Sequence, residues 1–216
     1  MDDFSFWIIT RNLLLATRWT ILLTVIAFIG GASLGLVLTL ARVGRIALWR
    51  RLAMVWIETL QGTPLLMQLF LVFFGLPFVG LDLAPLSAAA LVFTAYASAH
   101  LAEIWRGCVQ AVPKGQWEAS ASLGFGYLQQ MRHVILPQAL RLAIPATTGF
   151  LVQLVKGTAL ASSIGLIEIV QAGNMMNNAT FRPFLIYGLI ALIYFALCYP
   201  LSRYSQHLER KLHGAR

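Results

Sequence analysis

Long apolar stretches without charged residues dominate this chain, and short segments rich in Arg and Lys separate them. A helix needs about 20 mostly apolar residues to cross the hydrocarbon core of a bilayer. Four stretches are long enough without a charged residue, and a fifth, between Arg141 and Glu168, contains only Lys156. The pattern therefore predicts an all-α integral membrane protein. Five transmembrane helices are expected at about 19–41, 54–76, 84–105, 140–157 and 183–203.

The interruption of the fourth span at Lys156 and Gly157 has two interpretations. A charged residue beside a glycine inside an apolar run often marks a broken helix that lines a polar cavity. Alternatively, the helix ends there and the Lys156 ammonium reaches the lipid headgroups. In both cases 159–171 is expected to form a second, partly apolar helix near the far membrane surface.

The N-terminal segment is predicted to lie at the membrane surface and not to be a cleaved signal. It begins with Asp2 and Asp3, whereas a secretory signal begins with a basic region. Residues 4–17 mix Phe, Trp and Leu with Arg11, a composition that suits a short interfacial helix. Residues 1–216 are expected to form a single transmembrane domain.

Composition agrees with the pattern. The chain is 59% hydrophobic and 11% charged, whereas an ordinary soluble domain is roughly 45–50% apolar and about 25% charged. The excess of apolar residues indicates lipid-facing surface and argues against a water-soluble enzyme or binding module. The two cysteines, Cys108 and Cys198, give neither a disulfide framework nor a metal-ligand spacing.

The net charge of +8 is unevenly distributed. In a soluble protein it would indicate nucleic-acid binding, but in a membrane protein basic residues gather in cytoplasmic loops. Four basic residues follow the first predicted span, four follow the third and four lie in the C-terminal tail. Five spans fit this distribution when the N-terminus is outside and the C-terminus is cytoplasmic. No nucleic-acid partner is expected.

The longest segment between spans, about 107–138, is predicted to be cytoplasmic. Pro113 suits a first helical turn, and Gly124 is a natural C-terminal cap. Residues 127–136 are expected to form a second short helix that Pro137 stops. Two short helices with a glycine bend bury little surface of their own, so they need the membrane domain or a partner to hold them.

This loop also carries a spaced set of residues: Glu118, Ala119, Ser120, Gly124, Val134, Leu136 and Pro137. The set resembles the E-A-A-x3-G-x9-I-x-L-P loop of binding-protein-dependent ABC importer permeases, with Ser120 for the second Ala and Val134 for Ile. The resemblance implies an ABC importer permease with a MetI-like fold. In that family the loop forms coupling helices that dock on an ATP-binding subunit.

Other segments resemble the polar amino acid branch of that family, the histidine, glutamine and arginine type. Gln61 stands where this branch usually has Arg, Gly157 where it has Asp, and Ala159 where it has Ser. The resemblance extends from about residue 12 to 212. The matching segments are 58–70, 102–107, 156–160, 181–184 and 208–212.

The resemblance implies an assembly in the inner (cytoplasmic) membrane. Two permease chains, identical or paralogous, form the pathway, and two ATP-binding subunits dock on their loops. A periplasmic or lipid-anchored binding protein delivers a polar amino acid from outside, and membrane lipid surrounds the permeases. ATP and Mg are bound by the partner subunits.

The sequence itself contains no catalytic site. It has no G-x-x-x-x-G-K-[S/T] phosphate loop, and its four histidines show no metal-ligand spacing. We therefore expect no enzymatic activity, cofactor or metal in this chain. Candidates for the translocation path or for substrate contact are Lys156, Gly157, Thr158, Gln153, His100, Gln68 and Thr63. Candidates for structural or gating roles are Glu58, Gly62, Pro64, Glu103 and Arg106.

Gly62, Thr63 and Pro64 are expected to kink the second span. Gln68, one turn further in, is a candidate to present its amide to the path. Glu58 is expected to pair with a basic residue of the loop at 107–138.

His100, Glu103 and Arg106 share one helix face. They form either a polar stripe along the path or, for Glu103 and Arg106, an ion pair at the cytoplasmic interface. Lys156 is expected to meet a substrate carboxylate. Because Gly157 removes the neighbouring Asp of the resembling permeases, a neutral or acidic substrate is favoured over a cationic one.

Two other functions stay open at this point. One is a secondary amino acid transporter driven by an ion gradient, which needs no long docking loop and usually has more spans. The other is a non-transporting channel or scaffold subunit. Co-purification with an ATPase that a binding protein stimulates would separate the three.

Overall fold

The computed structural model describes residues 6–44 and 46–213, and all regular structure among them is helical. The apolar, charge-poor stretches form the long helices, and prolines and glycines mark most of the breaks between them. The α-helices are α1 (Phe6–Val43), α2 (Ala47–Gln61), α3 (Leu65–Gly75), α4 (Pro85–Gln110), α5 (Lys114–Ser122), α6 (Tyr127–Gln130), α7 (Leu136–Gly157), α8 (Ile169–Thr180) and α9 (Pro183–His213). Leu76–Val79 and Thr158–Ile164 form 3-10 helices, and Met131–Ile135 forms a π turn.

Four helical stretches are long and apolar enough to cross a membrane by themselves: Phe6–Val43, Pro85–Gln110, Tyr127–Ile164 and Pro183–Lys211. A fifth candidate is the pair Ala47–Gln61 and Leu65–Val79, which is bent by 98°. The all-α membrane architecture predicted from the sequence is thereby confirmed.

Helices α1 and α4 run parallel in close contact through three glycines of α1. A Cβ atom added at Gly31 would lie 2.4 Å from the Cβ of Ala97, and one at Gly35 would lie 3.0 Å from the carbonyl oxygen of Ser98. Small residues let helix backbones approach closely within a membrane. Because α1 and α4 point the same way, the bent pair between them must return the chain to the opposite end. The pair therefore counts as one crossing, which makes five.

The main core lies where α1, α4 and α7 meet, and the start of α3 packs against it. Helix α9 packs antiparallel on α7, where the Ser205 hydroxyl donates to the carbonyl oxygen of Pro145 over 2.9 Å. The largest buried side chains of this core are Leu23, Leu69, Phe93, Leu101, Phe150 and Leu154.

The structure first differs from the sequence-based prediction at the N-terminus. The interfacial helix predicted at 4–17 is not separate from the first span, since α1 runs for 38 residues without a break. Its residues 4 and 5 lie outside the described residues. Ile9, Leu13 and Ala16 of this segment are buried against α8 and α9, so tertiary packing extends the helix past Arg18.

The second span is a sharp elbow and not one kinked helix. Gly62 follows the last residue of α2, and Pro64, which has no N–H to donate, precedes α3. Proline also disfavours helical backbone at Thr63 before it. The predicted kink at this position is present, but the bend of 98° turns α3 away from the axis of α2.

Pro137 does not stop a helix, contrary to the prediction for 127–136. The helix continues from Tyr127 through the π turn into α7. Proline has no N–H to donate to the preceding turn, so the helix must accommodate one missing hydrogen bond at Pro137. In the π turn the Leu136 N–H bonds to the carbonyl oxygen of Met131, five residues back, which widens the helix just before Pro137.

The prediction of a second helix at 159–171 is also wrong. Residues 158–164 continue α7 as a tighter 3-10 helix that ends at Gly165, whose φ is +83°. A new helix, α8, begins only at Ile169, where the side chain of Glu168 caps it. The span therefore neither ends nor bends sharply at Lys156; its helix type changes there.

Candidate functional site

Helix α5 of the coupling loop, 107–138, is ended by glycine geometry. Gly124 has φ +79°, its N–H donates to the carbonyl oxygen of Ala121 over 2.9 Å, and the Phe125 N–H donates to Ser120 over 3.2 Å. These two bonds are the pair found where a left-handed residue closes a helix. The predicted cap at Gly124 is confirmed.

A small apolar cluster fixes the coupling loop to the ends of α4 and α7. Val109, Val112, Ile135 and Ala139 are buried together, and Trp117 and Val134 pack against them. Ser120 is buried too, and its hydroxyl donates to the carbonyl oxygen of Trp117 over 2.9 Å. The loop is therefore a seated part of the membrane domain.

The hydroxyl of Tyr127 donates to the carbonyl oxygen of Val43 over 3.3 Å, and the Tyr127 ring stacks on Trp117 at 6.4 Å between centroids. The coupling loop thus lies at the same end of the molecule as the C-terminus of α1. Helix α9 also ends there, because it runs antiparallel to α7.

The outer side of the coupling loop is apolar and uncovered. Leu123 is 75% and Leu128 79% exposed, and Phe125 is exposed between them. We call these three residues the coupling surface. Glu118 and Ala119 are exposed beside it on α5, whereas Leu136 and Pro137 are exposed at the start of α7. These exposed apolar side chains are a candidate surface for contact with a partner.

Gln68 holds the elbow between α2 and α3. Its amide Nε2 donates to the carbonyl oxygen of Leu60 and to the Thr63 hydroxyl, each over 2.8 Å. The Leu60 carbonyl lies in the last turn of α2, where intrahelical donors are missing. Gln68 therefore joins the two half-helices. Its Oε1 is buried without a hydrogen-bond partner among the described residues.

Lys156 and Gln153 lie one turn apart on an exposed face of α7. Within the described part of the chain, neither side chain forms a hydrogen bond or an ion pair. Thr158 lies elsewhere: it is fully buried, and its hydroxyl donates back to the carbonyl oxygen of Val155 over 2.7 Å. Two of the sequence candidates therefore share a surface and one is part of the interior.

Gly157 joins this face to the elbow. A Cβ atom built there would lie 3.5 Å from Cε1 of Phe93 and 3.9 Å from Cδ2 of Leu65. Leu65 is the first residue of α3, so the elbow and the end of α7 are neighbours. The structure brings together the two interruptions that the sequence placed about 90 residues apart.

His100 does not continue a polar stripe. Its ring lies 4.2 Å from Tyr96 and 5.5 Å from Phe150, between centroids. Glu103 accepts hydrogen bonds from Arg106 and lies 3.9 Å from Arg42 of α1. The ion pair expected between Glu103 and Arg106 is present, and His100 is part of an aromatic contact between α4 and α7.

The expected partner of Glu58 is absent. Glu58 is exposed on α2, and within residues 6–44 and 46–213 it forms no ion pair. Helix α2 packs on α1 and α4 through buried Ala53 and Ile57. These contacts turn the Glu58 side chain to the exposed side.

The comparisons with known proteins agree with this geometry. Residues 31–214 match the family described as binding-protein-dependent transport system inner membrane component. The chain belongs to this family. It is therefore the membrane component of a binding-protein-dependent transport system, a non-enzymatic role in the family.

This transport-system component is 37% identical over 193 residues to the probable amino-acid ABC transporter permease protein YckA of Bacillus subtilis (strain 168), which covers 89% of this chain and 85% of YckA. It also matches a crystal structure of an amino acid ABC transporter with histidines, with a TM-score of 0.90, 33% identity and 94% of both chains covered. The inward-facing MetNI methionine ABC transporter gives a TM-score of 0.71 at 22% identity over 95% of this chain and 96% of that chain. At that identity the likeness shows the fold alone, and it confirms the MetI-like architecture.

One buried acidic residue was missed from the sequence. Glu168 of this transport-system component is fully buried, accepts the backbone N–H of Gln171 over 2.9 Å and accepts the Tyr194 hydroxyl over 3.1 Å. Burial raises the pKa of the Glu168 carboxyl, while the backbone N–H groups at the start of α8 act against that rise. In the sequence, Glu168 could have been noticed as a single acidic residue between two apolar runs, three residues before Gln171, whose N–H it caps.

Proposed function

We propose that this chain is the permease subunit of an ATP-driven ABC importer that carries a polar amino acid into the cytoplasm. The observation that supports it most strongly is the coupling surface, Leu123, Phe125 and Leu128, on a loop that is seated on the membrane helices. Such a surface suits contact with a partner, and the chain contains no phosphate loop of its own. The family relatives are named as amino-acid ABC transporter permeases.

The coupling loop is proposed to be cytoplasmic, with the N-terminus outside and the C-terminus inside. Arg42, Arg106 and Arg203 lie towards the end of the molecule that carries the coupling loop, because α1, α4 and α9 all end there. Basic residues near the ends of short spans favour the cytoplasmic side. The protein is accordingly a multi-pass component of the inner membrane.

Two permease chains, identical or paralogous, are proposed to enclose the path at their interface. The argument rests on Lys156 and Gln153, which are exposed in the single chain although they lie within a span. A lysine ammonium on a lipid-facing helix costs free energy, at most roughly 2.5–3.5 kcal/mol at the helix centre on insertion scales, and Lys156 lies in the last turn of α7. A second permease chain or a water-filled path beside α7 removes that cost.

The substrate is proposed to be neutral or acidic. Within the described residues no carboxylate pairs with Lys156, and Gly157 adds no side chain beside it. An exposed ammonium without a neighbouring acid attracts a substrate carboxylate and repels a cationic side chain.

The proposed cycle uses two ATP-binding subunits and a periplasmic or lipid-anchored binding protein. ATP and Mg bind to the ATP-binding subunits, which dock on the coupling surfaces. Their closure moves the coupling loops towards each other. Because α5 is packed on the ends of α4 and α7 through Trp117, this movement passes to α7, which carries Lys156, and to α4, which packs on both halves of the elbow.

The deciding experiment places the permease and the ATP-binding subunit in proteoliposomes together with an amino-acid-binding protein. We expect ATP hydrolysis that rises when the loaded binding protein is added, and amino acid uptake that needs ATP. Uptake driven by an ion gradient without ATP would instead identify a secondary transporter. Stable membrane insertion with neither activity would identify a channel or scaffold subunit.

A further inference from the structure

The break between α2 and α3 has the backbone of a hinge. The last bond of α2 runs from the Gly62 N–H to the carbonyl oxygen of Glu58, and α3 begins at Leu65. Within the described residues no backbone hydrogen bond joins the two half-helices. Hinge motions are absorbed by a few residues at the ends of elements. Helix α3 can therefore change direction at 62–64 without breaking either helix.

The two half-helices are attached to the rest of the molecule in different ways. Helix α2 is tied to α4 by polar bonds: the Trp56 Nε1 donates to the Ser98 hydroxyl over 3.1 Å, and the Gln61 amide donates to the carbonyl oxygen of Ala99 over 3.4 Å. Helix α3 contains one polar side chain, Gln68, and is otherwise apolar. Packed helices can slide on apolar contacts. Helix α2 is thus the fixed arm of the elbow and α3 the movable arm.

The amide of Gln68 holds the bend, but with a small margin. Its Nε2 lies within hydrogen-bond distance of three acceptors, the Leu60 carbonyl oxygen, the Thr63 carbonyl oxygen and the Thr63 hydroxyl, although an amide has two N–H groups to donate. Its Oε1 is buried without a partner among the described residues. The cost of a buried, unsatisfied acceptor is similar in size to the gain from such bonds. A contact balanced in this way suits an element that has to open.

There is space for α3 to move. A cleft of about 370 Å³ lies between α2, α3 and α4 and is open to the surface. Its walls are almost entirely apolar, and they include Thr59 of α2, Met67 of α3 and Leu91 of α4. Gln68 lines the same cleft. A movement of α3 on this side therefore displaces no packed core.

The movable arm reaches the end of α7. A Cβ atom built at Gly157 would lie 3.9 Å from Cδ2 of Leu65, the first residue of α3. Lys156 precedes Gly157 and is exposed. A swing of α3 about the hinge changes the space directly beside the ammonium that is proposed to meet the substrate carboxylate.

From these observations we propose that α3 is a gate beside Lys156, hinged at 62–64 and latched in the observed bend by Gln68. Release of the amide from Leu60 lets α3 swing away from Gly157 and frees the buried Oε1 to bind water. The inference rests on the proposed function, and it adds the side chain that controls access to the path.

The test measures how fast a small water-soluble methanethiosulfonate reagent modifies Leu65→Cys in the permease, assembled with its ATP-binding subunit in proteoliposomes. Cys108 and Cys198 are replaced by Ser. Leu65 is half-buried in the latched bend, so modification is slow. We expect Gln68→Leu to speed it about fivefold without ATP, because leucine cannot donate to Leu60. With the Gln68 latch intact, ATP and the loaded binding protein should speed it by a similar factor.

Two further variants check the latch. Thr63→Val removes one acceptor at an exposed position and should speed modification about twofold, which tests the latch even if Gln68→Leu does not insert. Met67→Leu is the matched control, since Met67 lies next to Gln68, is exposed and lines the same cleft. It should leave the rate within about 1.5-fold of the intact latch.

Equal rates with Gln68→Leu and with the intact latch would overturn the role of Gln68. ATP-driven uptake without any change in the modification rate would overturn the gate and leave the proposed function standing. Absence of ATP-driven uptake would defeat the proposed function, whereas the comparison of Gln68→Leu with the intact latch, made without ATP, would still decide whether Gln68 holds the elbow.

Discussion

At the scale of single residues, Gly157 decides the charge beside Lys156. We expect Gly157→Asp to shift uptake towards cationic amino acids by about tenfold, equivalent to roughly 1.4 kcal/mol, because the new carboxylate neutralises the ammonium. The side chain has room, since its Cβ would lie 3.5 Å from Phe93, an ordinary contact. Competition of unlabelled arginine and glutamine against labelled uptake measures the shift. Gly157→Asn, which has a side chain of equal size without charge, is the control and should leave the preference between glutamine and arginine unchanged. Dominant competition by arginine in the wild type would contradict the predicted preference for a neutral or acidic substrate.

Glu168 is expected to stabilise the folded chain through its hydrogen bonds, and not through a negative charge. Replacing it by Ala removes the side-chain cap of α8 and one hydrogen-bond acceptor of the Tyr194 hydroxyl, and loss of a cap alone costs about 1 kcal/mol. Glu168→Gln keeps a side-chain oxygen that accepts the Gln171 N–H. The buried side chain can then no longer ionise, so no charge has to be buried. Thermal unfolding in detergent should therefore show a clear loss for Glu168→Ala and a much smaller one for Glu168→Gln. Equal losses would mean that the ionised carboxylate itself is required.

At the scale of elements, the end of α5 depends on one left-handed residue. Gly124 has φ +79°, a conformation that costs an L-residue with a side chain roughly 1–2 kcal/mol. We expect Gly124→Asp to abolish ATP-coupled uptake while the protein still inserts into the membrane, because it places a charge beside the apolar coupling surface and adds strain at a left-handed position. Nothing lies within 4 Å of the added Cβ, so the effect does not come from a clash.

Gly126→Ala provides the control for this element. Gly126 lies two residues away, but its φ of −66° is open to any residue. This variant should transport at close to the wild-type rate in the same uptake measurement. Normal uptake and normal ATPase coupling in Gly124→Asp would refute the assignment of the loop.

The helix boundaries divide into those that local sequence rules predict and those that depend on tertiary contacts. Spans, the Gly124 cap and the interruption at Gly62-Thr63-Pro64 follow from local rules of length, charge and backbone conformation. The size of the bend does not, because Gln68 fixes it through bonds across the break. Nor did local rules predict helix through Pro137, since the π turn before it depends on packing of Ile135 in the cluster below the coupling loop. The burial of Glu168 likewise depends on α9, far away in the chain.

At the scale of the whole molecule, the parallel arrangement of α1 and α4 determines how many times the chain crosses the membrane. If the bent pair α2–α3 did not cross, both termini would lie on the same side, and α1 and α4 would have to run antiparallel. The contacts of Gly31 with Ala97 and of Thr39 with Ala102 place their C-terminal ends together. Five crossings follow, and α8 and the coupling loop lie on opposite sides of the membrane.

Cysteine labelling tests which side of the membrane carries the coupling loop and which carries α8. In a background in which Cys108 and Cys198 are replaced by Ser, we expect a membrane-impermeant maleimide on intact spheroplasts to label Asn178→Cys on α8. It should not label Ser122→Cys at the end of α5 until the membrane is permeabilised. Both positions are exposed in the folded chain, so access depends on the side of the membrane and not on burial. Labelling of Ser122→Cys alone would invert the orientation and place the basic segments outside, against the positive-inside bias. Labelling of both positions in intact spheroplasts would show that α7 does not separate the coupling loop from α8 across the membrane, against the span at Tyr127–Ile164.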